Sequence, residues 1–335
     1  MKTNLVEFIL AQKKRLGMPI GVYPGLEMIG KSVYQGVTDP VVQIDAQKRL
    51  YDRYLAPFLQ SAIDLSIEGE AFGCQVRLQE TDIPTIVGRL VTSPKDLLSL
   101  VEPKPGHKRT TVPLTTVRML KEAYKNRSVF VLGGMIGPFT LAGRLFGLSE
   151  SSMLMSLDPG LLIGLLEAVT RFLARYAIAF RLNDADGIIL AEPAAGLISP
   201  DAMARFSVPY VQQIISGVQA PEFSVLYHNC NATLAHLPGV LETGAAAYHF
   251  GKPMDIADAL SRVAPDVVLA GNLDSTEVFT EARPEQMYAQ ATQLLKDTAD
   301  YPNYILSSGC DLSLGTSLAN LDAFFKALED FNSAQ

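Results

Sequence analysis

Cysteine is scarce in this chain of 335 residues, and tryptophan is absent. Only three cysteines occur, and they are scattered over the sequence at Cys74, Cys230 and Cys310. A small secreted domain held by disulfides would carry an even and denser set of cysteines, so this pattern excludes that class of protein. The composition therefore predicts a cytoplasmic protein.

Long uncharged apolar runs are also missing. The most apolar helix candidate, Gly160–Asn183, carries Glu167 and three arginines, whereas a membrane span needs about 20 nearly uncharged residues. The apolar stretch within Met1–Gly21 is short, is interrupted by Glu7 and has no small-residue cleavage site, so a signal peptide is not expected. We therefore expect no membrane partner.

An excess of basic residues is missing as well. The chain has 28 Lys and Arg against 35 Asp and Glu, a net charge of −7, and a pI near 5.2. Proteins that bind nucleic acids usually present a basic face, so no nucleic-acid partner is expected. Hydrophobic residues make up 48% and charged residues 19% of the chain, and this balance predicts a large buried core.

Short apolar segments alternate with longer amphipathic segments through the second half of the chain. The apolar segments are typical of buried parallel strands, and they are Val129–Leu132, Gly187–Leu190, Ser224–Tyr227, Ala246–Phe250, Val267–Ala270 and Tyr304–Leu306. The longer segments have helical spacing, and examples are Gly160–Asn183, Ala202–Val218, Pro284–Thr298 and Leu318–Phe331. This βαβα alternation predicts a parallel sheet.

A glycine-rich dinucleotide-binding fingerprint is missing from the ends of these strands. Gly133–Gly137 comes nearest, but it lacks the G-x-G-x-x-G spacing and the acidic residue that should follow about 20 positions later. This absence favours a closed barrel over a Rossmann sheet. Because barrels of this length form one domain, we predict a single (β/α)8 TIM barrel, of class α/β, over residues 1–335.

The first half of the chain is less regular and predicts an irregular N-terminal extension. Val41–Leu59 has helical spacing, and Ala62–Ile67 is a candidate strand. Phe72–Val87 is typical of an irregular or hairpin insertion, and Pro103–Pro113 of a loop. No linker or internal repeat divides the chain.

Polar and charged residues follow several of the predicted strands. In a barrel the active site lies at the carboxyl ends of the strands, where the βα loops emerge. The residues at or just after these positions are Glu192, His228, Asn229, Cys230, Tyr248, His249, Asp255, Asn272, Asp274, Ser308, Cys310 and Asp311. We therefore expect His, Cys and carboxylate groups to meet at one rim.

His228-x-Cys230 and the distant Cys310 suit a zinc site. Zinc favours imidazole nitrogen and thiolate sulfur, and catalytic sites use three protein ligands with one exchangeable position. Residues i and i+2 of a strand share a face, so His228 and Cys230 are able to point at one ion. The alternative is that Cys230 and Cys310 only pack in the apolar core, as free cysteines often do.

Three carboxylates are the candidate catalytic residues, and each has a structural alternative. Glu192 stands before a proline and would also suit a helix entry or a salt bridge. Asp255 would also suit an N-cap for a helix over Ile256–Val263. Asp311 either caps the following loop or orients a metal ligand. For Cys74 we expect packing alone.

In these segments the sequence resembles the uroporphyrinogen decarboxylase-like barrels, and specifically the branch of methylcobamide:coenzyme M methyltransferases. The likeness covers essentially the whole chain, and its ordered set of fragments is specific. The fragments are Asp64–Gly73, Asp82–Thr85, Gly137–Gly143, Glu192–Ala195, Phe206 with Pro209 and Tyr210, His228–Cys230, Gly271–Asp274 and Ser308–Cys310. One departure is that the family's Asp-Pro-x-Ala-Ser run reads Glu-Pro-Ala-Ala-Gly here.

The resemblance implies a zinc ion on His228, Cys230 and Cys310 that binds the acceptor thiol as a thiolate, which then attacks the methyl group of a methylcorrinoid. It implies Asp255 as an exchangeable fourth ligand, and we take Tyr248 and Asn272 at the same rim as candidate cofactor-binding residues. The chain has no spare domain for the corrinoid, so a separate corrinoid carrier protein is the expected partner. Coenzyme M, homocysteine, another thiol or a reduced folate is the expected methyl acceptor.

Two other interpretations follow from the same sequence. A metal-free decarboxylase of this superfamily grips its polycarboxylate substrate with N-terminal arginines, but Met18–Gly25 contains none. A non-catalytic barrel with a structural zinc or a corrinoid-binding pocket is the second alternative. Structural zinc sites are normally closed by four N or S ligands, and only three such residues are found here.

Overall fold

A computed structural model of the protein describes residues 4–334. The strands in this range are β1 (Phe58–Gln60), β2 (Gln75–Arg77), β3 (Thr85–Val87), β4 (Phe130–Ile136), β5 (Gly187–Ala191), β6 (Ser224–Asn229), β7 (Ala247–Phe250), β8 (Val268–Leu273) and β9 (Tyr304–Ser308). The α-helices in the same range are α1 (Leu5–Leu10), α2 (Tyr23–Met28), α3 (Val33–Thr38), α4 (Pro40–Tyr54), α5 (Ile67–Phe72), α6 (Pro94–Leu98), α7 (Thr111–Ala123), α8 (Pro138–Phe146), α9 (Leu148–Leu157), α10 (Pro159–Leu182), α11 (Pro200–Phe206), α12 (Val208–Val218), α13 (Leu237–Glu242), α14 (Ile256–Ser261), α15 (Pro284–Asp297) and α16 (Leu318–Ser333).

Seven strands form one parallel sheet in the order β1-β4-β5-β6-β7-β8-β9. From β4 onward each strand lies beside the next strand in the chain, because a helical segment returns the chain to the start of the sheet between them. The strands β2 and β3 form a separate antiparallel hairpin. The α/β class and the parallel sheet predicted from the alternating segments are therefore confirmed.

The six strands predicted in the second half are all present, with ends that differ by a few residues. The largest difference is in β4, which was predicted to end at Leu132. It continues through Gly133 and Gly134 to Ile136. Glycine suits this strand because a Cβ atom at Gly133 would lie only 2.2 Å from the ring of Phe180. The close approach of a helix, which the sequence pattern does not reveal, explains the difference.

The two faces of the sheet pack against different sets of side chains. On the face that we call the inner face, alternate residues of β4 to β9 form a small apolar cluster, which contains Phe130, Leu132, Ile189, Ala191, Leu226, Ala247, Val268, Ala270 and Ile305. The intervening residues point to the outer face and form the larger core beneath the helices. Because side chains alternate along a strand, position along the strand decides which layer a residue enters.

The helices predicted in the second half are confirmed, with one interruption. The segment predicted as one helix over Ala202–Val218 is divided at Ser207 into α11 and α12. Pro209 lacks the N–H that a continuous helix would need, so the chain restarts there. No helix within residues 4–334 is long and apolar enough to cross a membrane.

The first half departs from the prediction at β1. The helix predicted over Val41–Leu59 is α4, which ends at Tyr54, and Phe58–Gln60 pair with β4 instead. Leu55 adopts the left-handed conformation with φ of 52°, which ends the helix. Pro57, two residues later, cannot continue a helix.

The strand predicted over Ala62–Ile67 is wrong. The carboxylate of Asp64 accepts hydrogen bonds from the backbone N–H of Ser66 at 2.9 Å and from its hydroxyl at 2.6 Å, which forms a turn that leads into α5. The hairpin predicted within Phe72–Val87 is confirmed as β2 and β3. The loop predicted over Pro103–Pro113 is shorter, because α7 already begins at Thr111.

The amino-terminal segment Leu16–Met18 lies beside β9, the edge strand opposite β1 in the sheet order. The N–H of Met18 donates to the carbonyl of Leu306 at 2.9 Å, and the N–H of Leu306 donates to the carbonyl of Leu16 at 3.0 Å. Gly17 and Leu306 thereby form a short parallel bridge. This segment extends the sheet beyond β9.

A buried side chain joins this segment to β1. The amide nitrogen of Gln47, on α4, donates to the carbonyl of Gly21 at 3.1 Å, and its amide oxygen accepts from the N–H of Gln60 at 3.2 Å. Gln47 is 3% exposed. We call this contact the Gln47 bridge, and it links Gly21, which follows the segment beside β9, to β1.

Candidate metal centre

Three predicted ligands converge at the carboxyl ends of β6 and β9. His228 lies within β6, Cys230 follows that strand, and Cys310 follows β9. Their ligand atoms all lie within 4.8 Å of one another, with 3.8 Å between Nε2 of His228 and Sγ of Cys310. His228 is buried and the two cysteines are half-buried. Among residues 4–334 this is the one group of three or more His, Cys, Asp or Glu side chains close enough to hold a metal ion.

The two thiols are electrostatically unequal. The neighbouring thiol of Cys310 lowers the pKa of Cys230, although burial opposes this. The neighbouring thiol of Cys230, together with burial, raises the pKa of Cys310 to about 12. Cys230 is therefore the more acidic of the two thiols. Cys74, in contrast, is buried in the outer core, where burial raises its pKa to about 11.

A hydrogen-bonded chain of side chains stands behind His228 on the inner face. Its Nδ1 lies 2.8 Å from Nδ1 of His249, and Nε2 of His249 lies 2.8 Å from the hydroxyl of Ser307. That hydroxyl donates in turn to the carbonyl of Met18. Burial, reinforced by the neighbouring His228, lowers the pKa of His249 well below its usual value.

The sequence places His249 at the rim but assigns it no role. The strand register contains the missing signal, since His228 and His249 are paired residues of β6 and β7. Paired residues of parallel strands present side chains on the same face. The position of Ser307 could not be predicted in this way. Ser307 is on β9 and His249 on β7, so their contact across β8 depends on the curvature of the sheet.

Glu192 is fully buried at the N-terminus of α8. Its carboxylate accepts hydrogen bonds from the N–H groups of Phe139 at 2.6 Å and Thr140 at 3.3 Å, and from the hydroxyl of Ser207 at 3.2 Å. Burial raises the pKa of Glu192 to about 7 in spite of these bonds. A Cβ atom at Gly137 would lie 1.9 Å from the carboxylate. Glu192 thus caps α8, and a catalytic role for it stays a prediction.

The other two candidate carboxylates differ in position. Asp255 is exposed and caps α14, accepting from the N–H of Asp258 at 3.0 Å, as the N-cap interpretation predicts. Its role as an exchangeable fourth ligand stays a prediction. Asp311 lies next to Cys310, and its Oδ1 is buried without a hydrogen-bond partner among the described residues. Burial, with Cys310 and Asp64 nearby, raises the pKa of Asp311 well above its usual range.

The structure does not bring the two candidate cofactor-binding residues to one surface. Tyr248 points to the outer face, where its hydroxyl donates to the carbonyl of Leu241 at 3.0 Å. Because side chains alternate along a strand, Tyr248 faces outward where His249 faces inward. Cofactor binding by Tyr248 stays a prediction. The side-chain amide of Asn272 donates to the carbonyls of Gly251 and Met254, at 3.2 Å and 2.5 Å, and ties two rim loops together.

Two adjoining clefts open beside the ligand group. One, of about 410 Å³, is lined by Cys230, Asn231, Gly251, Lys252, Pro253, Asp274, Ser275, Thr276, Gly309 and Cys310. The other, of about 380 Å³, shares Asn231 with the first. Its lining residues, all within the described part of the chain, are mostly apolar and include one cation, Arg144, and no carboxylate.

A second polar cluster, which the sequence did not reveal, lies in the first half of the chain. Arg109 pairs with Asp64, with Glu70 at 2.6 Å and with the hydroxyl of Ser66 at 2.8 Å. Arg109 is 8% exposed. Glu68, beside them, accepts from a backbone N–H with one oxygen only, and burial raises its pKa to about 8. Because two carboxylates already neutralise Arg109, it is not a free cation for an acidic substrate.

Comparison with known proteins places this geometry in context. A methylcobamide:CoM methyltransferase of Methanosarcina acetivorans is 26% identical over 271 residues, which cover 80% of this chain and 78% of that protein. A uroporphyrinogen decarboxylase of Chlorobaculum parvum is 27% identical over 277 residues, covering 80% of this chain and 77% of that protein. The solved structure of a methyltransferase from Methanosarcina mazei has the same fold, with a TM-score of 0.87, 22% identity and 98% of both chains covered.

The family model covers nearly the whole chain. The model for uroporphyrinogen decarboxylase (URO-D) matches residues 23–331. That range contains the three converging ligands, the hydrogen-bonded chain behind His228 up to Ser307, and both clefts. The protein therefore belongs to the uroporphyrinogen decarboxylase (URO-D) family.

Proposed function

We propose that this protein is a zinc-dependent methyltransferase that moves a methyl group from a methylated corrinoid to a thiol acceptor. The observation that carries the proposal is the convergence of His228, Cys230 and Cys310 within 4.8 Å. One nitrogen and two sulfur donors fit zinc, and three protein ligands leave a position for an acceptor. A similar methyltransferase that acts between methylcobamide and CoM supports the same activity.

The chain's own residues would prepare the acceptor for attack. A bound zinc ion would favour loss of the proton from a thiol that joins it. The half-buried cysteines leave the acceptor open to the cleft, while buried His228 anchors the site from the inner face. The acceptor sulfur then forms a bond to the methyl carbon, and the electron pair of the cobalt–carbon bond stays on cobalt. Holding both reactants at one rim lowers the entropic part of the barrier.

We further propose that the sheet closes into an eight-stranded barrel that forms a single domain over residues 1–335. In this arrangement Leu16–Met18 fills the eighth position between β9 and β1. Its backbone bonds to β9 and the Gln47 bridge to β1 support this closure. We also propose a cytoplasmic location and a separate corrinoid carrier protein as the donor.

A transfer assay tests the proposed function. Zinc-loaded protein should demethylate free methylcobalamin in the presence of coenzyme M or another thiol, with methylated thiol detected by mass spectrometry. Tetrahydrofolate in the same panel should give no product, because it has no thiol that zinc could convert to a thiolate. Conversion of uroporphyrinogen to coproporphyrinogen without methyl transfer would contradict the proposal. The neutralised Arg109 cluster argues against that outcome.

Binding of a thiol acceptor should release protons, and the number released should depend on pH. A free thiol with a pKa near 8.5 is mostly protonated at pH 7, so binding as a thiolate releases about one proton per site. The release should fall towards zero as pH rises above the pKa of the free thiol, since the proton is then already lost. Calorimetry of the zinc-loaded protein in buffers of different ionisation enthalpy measures it. Methyl transfer without any proton release would contradict thiolate activation.

Arg144 is expected to select acidic thiols. It is the one charged residue lining its cleft, and a charge-assisted hydrogen bond contributes about 1.5–3 kcal/mol. The change Arg144→Gln should therefore raise KM for coenzyme M about 10- to 100-fold and leave KM for the uncharged 2-mercaptoethanol unchanged.

The matched control for Arg144 is Arg89→Gln. Arg89 is a nearby exposed arginine that pairs with Glu150, so its loss should alter neither KM. Equal effects of Arg144→Gln on the acidic and the uncharged thiol would show that Arg144 does not bind the anionic group.

A further inference from the structure

We propose that His249 and Ser307 are positioning residues that fix the tautomer of His228, so that Nε2 of His228 presents a lone pair to the cysteines. This inference rests on the proposed metal site, but it concerns hydrogen atoms that are in place before any metal binds. It follows from the direction of each hydrogen bond in the chain from Met18 to His228. Each direction is fixed by the chemistry of the group before it.

The direction of the first bond is set by the carbonyl of Met18. A carbonyl oxygen has no hydrogen, so the contact between it and the hydroxyl of Ser307 exists only if Ser307 donates. A serine hydroxyl carries one hydrogen, and this bond uses it. The oxygen of Ser307 is then left as an acceptor for any other partner.

The second bond is set by Ser307. Since its oxygen can only accept, Nε2 of His249, at 2.8 Å, must carry a hydrogen. His249 is fully buried, and its side-chain partners are an imidazole and a hydroxyl, so no anion compensates a positive charge on its ring. A neutral ring with a hydrogen on Nε2 has a bare Nδ1, which accepts.

The third bond is set by His249. Nδ1 of His228, at 2.8 Å, must donate to the bare Nδ1 of His249, and the 63° angle between the rings suits an N–H that meets a lone pair in the plane of the other ring. In neutral His228 the remaining nitrogen, Nε2, is therefore unprotonated. It is this nitrogen that lies 3.8 Å from Sγ of Cys310.

The hydrogen-bond acceptor of His228 is unusual. Metal-binding histidines often donate to a carboxylate or a backbone carbonyl, whereas His228 donates to the imidazole of His249. A carboxylate would add negative charge beside two cysteines. The neutral imidazole of His249 orients His228 without adding charge, so the total charge of the ligand group stays that of the cysteines.

Histidine NMR of the metal-free protein tests the tautomers directly. The chain has four histidines, so side-chain 15N–1H correlations are assignable with single His variants. The expected pattern is a hydrogen on Nδ1 of His228 and on Nε2 of His249. A hydrogen on Nε2 of His228 would overturn the proposal whether or not the protein is a methyltransferase.

Zinc affinity of variants provides the second measurement, by competition with a chelator of known affinity. The changes Ser307→Ala and His249→Phe should each weaken zinc binding about 10- to 100-fold, the range for partners of metal ligands. Ser307→Ala should also shift His228 partly to the tautomer with a hydrogen on Nε2. His249→Asn keeps an acceptor oxygen for His228 and should restore most of the affinity lost in His249→Phe.

Ser308→Ala is the matched control. Ser308 is a buried neighbour on β9 whose hydroxyl accepts from the N–H of Ile20 at 3.0 Å, outside the chain that leads to His228. Its loss should leave zinc affinity and the tautomers unchanged. Equal loss of zinc affinity in Ser308→Ala and Ser307→Ala, with unaltered tautomers in both, would assign Ser307 a merely structural role and overturn the inference.

Discussion

Replacement of Cys310 by alanine is expected to abolish stoichiometric zinc binding while the protein stays folded. The thiol of Cys310, which follows β9, is one of the three converging donors. Even a residue that only hydrogen-bonds to a metal ligand contributes about 10- to 100-fold to metal affinity. Loss of the ligand itself should therefore weaken zinc binding by more than about 100-fold. Elemental analysis after dialysis measures the bound metal, and methyl transfer should fall in parallel.

Cys74→Ala is the control for this experiment. Cys74 is a buried free cysteine that packs in the outer core, away from the ligand group. Its replacement should lower stability modestly and leave one zinc per chain. If Cys310→Ala unfolds the protein while the metal content is retained, Cys310 is a packing residue and the metal centre lies elsewhere.

Replacement of Arg109 by alanine is expected to destabilise the fold more than any other single loss of a charge in the first half. Arg109 is buried together with Asp64, and it also holds Glu70 and the hydroxyl of Ser66. Removing one partner of a buried ion pair leaves an uncompensated charge, which costs about 3–5 kcal/mol. Denaturant unfolding monitored by circular dichroism measures the change in the free energy of unfolding.

Arg53→Ala is the matched control for Arg109. Arg53 forms a comparable pair with Asp322, at 2.6 Å, but both side chains are largely exposed to solvent. Exposed pairs contribute less than about 1 kcal/mol. A similar small effect for Arg109→Ala would mean that water reaches the cluster. Asp64→Asn combined with Glu70→Gln should recover part of the loss, because fewer buried charges then lack a partner.

The second half of the fold was predictable because its signals are local. Apolar runs such as Gly187–Leu190 and amphipathic segments such as Pro284–Thr298 carry their own periodicity, and both elements formed. The first half depends on contacts between distant residues. Leu55 ends a helix that the pattern continues, and Asp64 turns an apolar stretch away from the sheet through its bonds to Ser66 and Arg109.

In the candidate site, too, some residues could be predicted from the sequence and others could not. The candidate ligand group was predictable because zinc chemistry restricts the residue types, and the carboxyl ends of the parallel strands restrict their positions. The partners of the ligands were not. His249 looked like an ordinary rim residue until its pairing with His228 was known, and Tyr248, one residue earlier, faces the helices instead of the rim.

The amino-terminal segment has two structural roles, and both involve the backbone of Met18. The same residue pairs with β9 through its N–H and receives the hydroxyl of Ser307 through its carbonyl. A truncation that removes Leu16–Met18 would therefore uncover the edge of β9 and also release Ser307 to point its hydrogen elsewhere. Through Ser307 and His249 the release would reach the imidazole of His228, one of the three candidate metal ligands. The segment Leu16–Met18, beside β9, is therefore connected through hydrogen bonds to the orientation of His228.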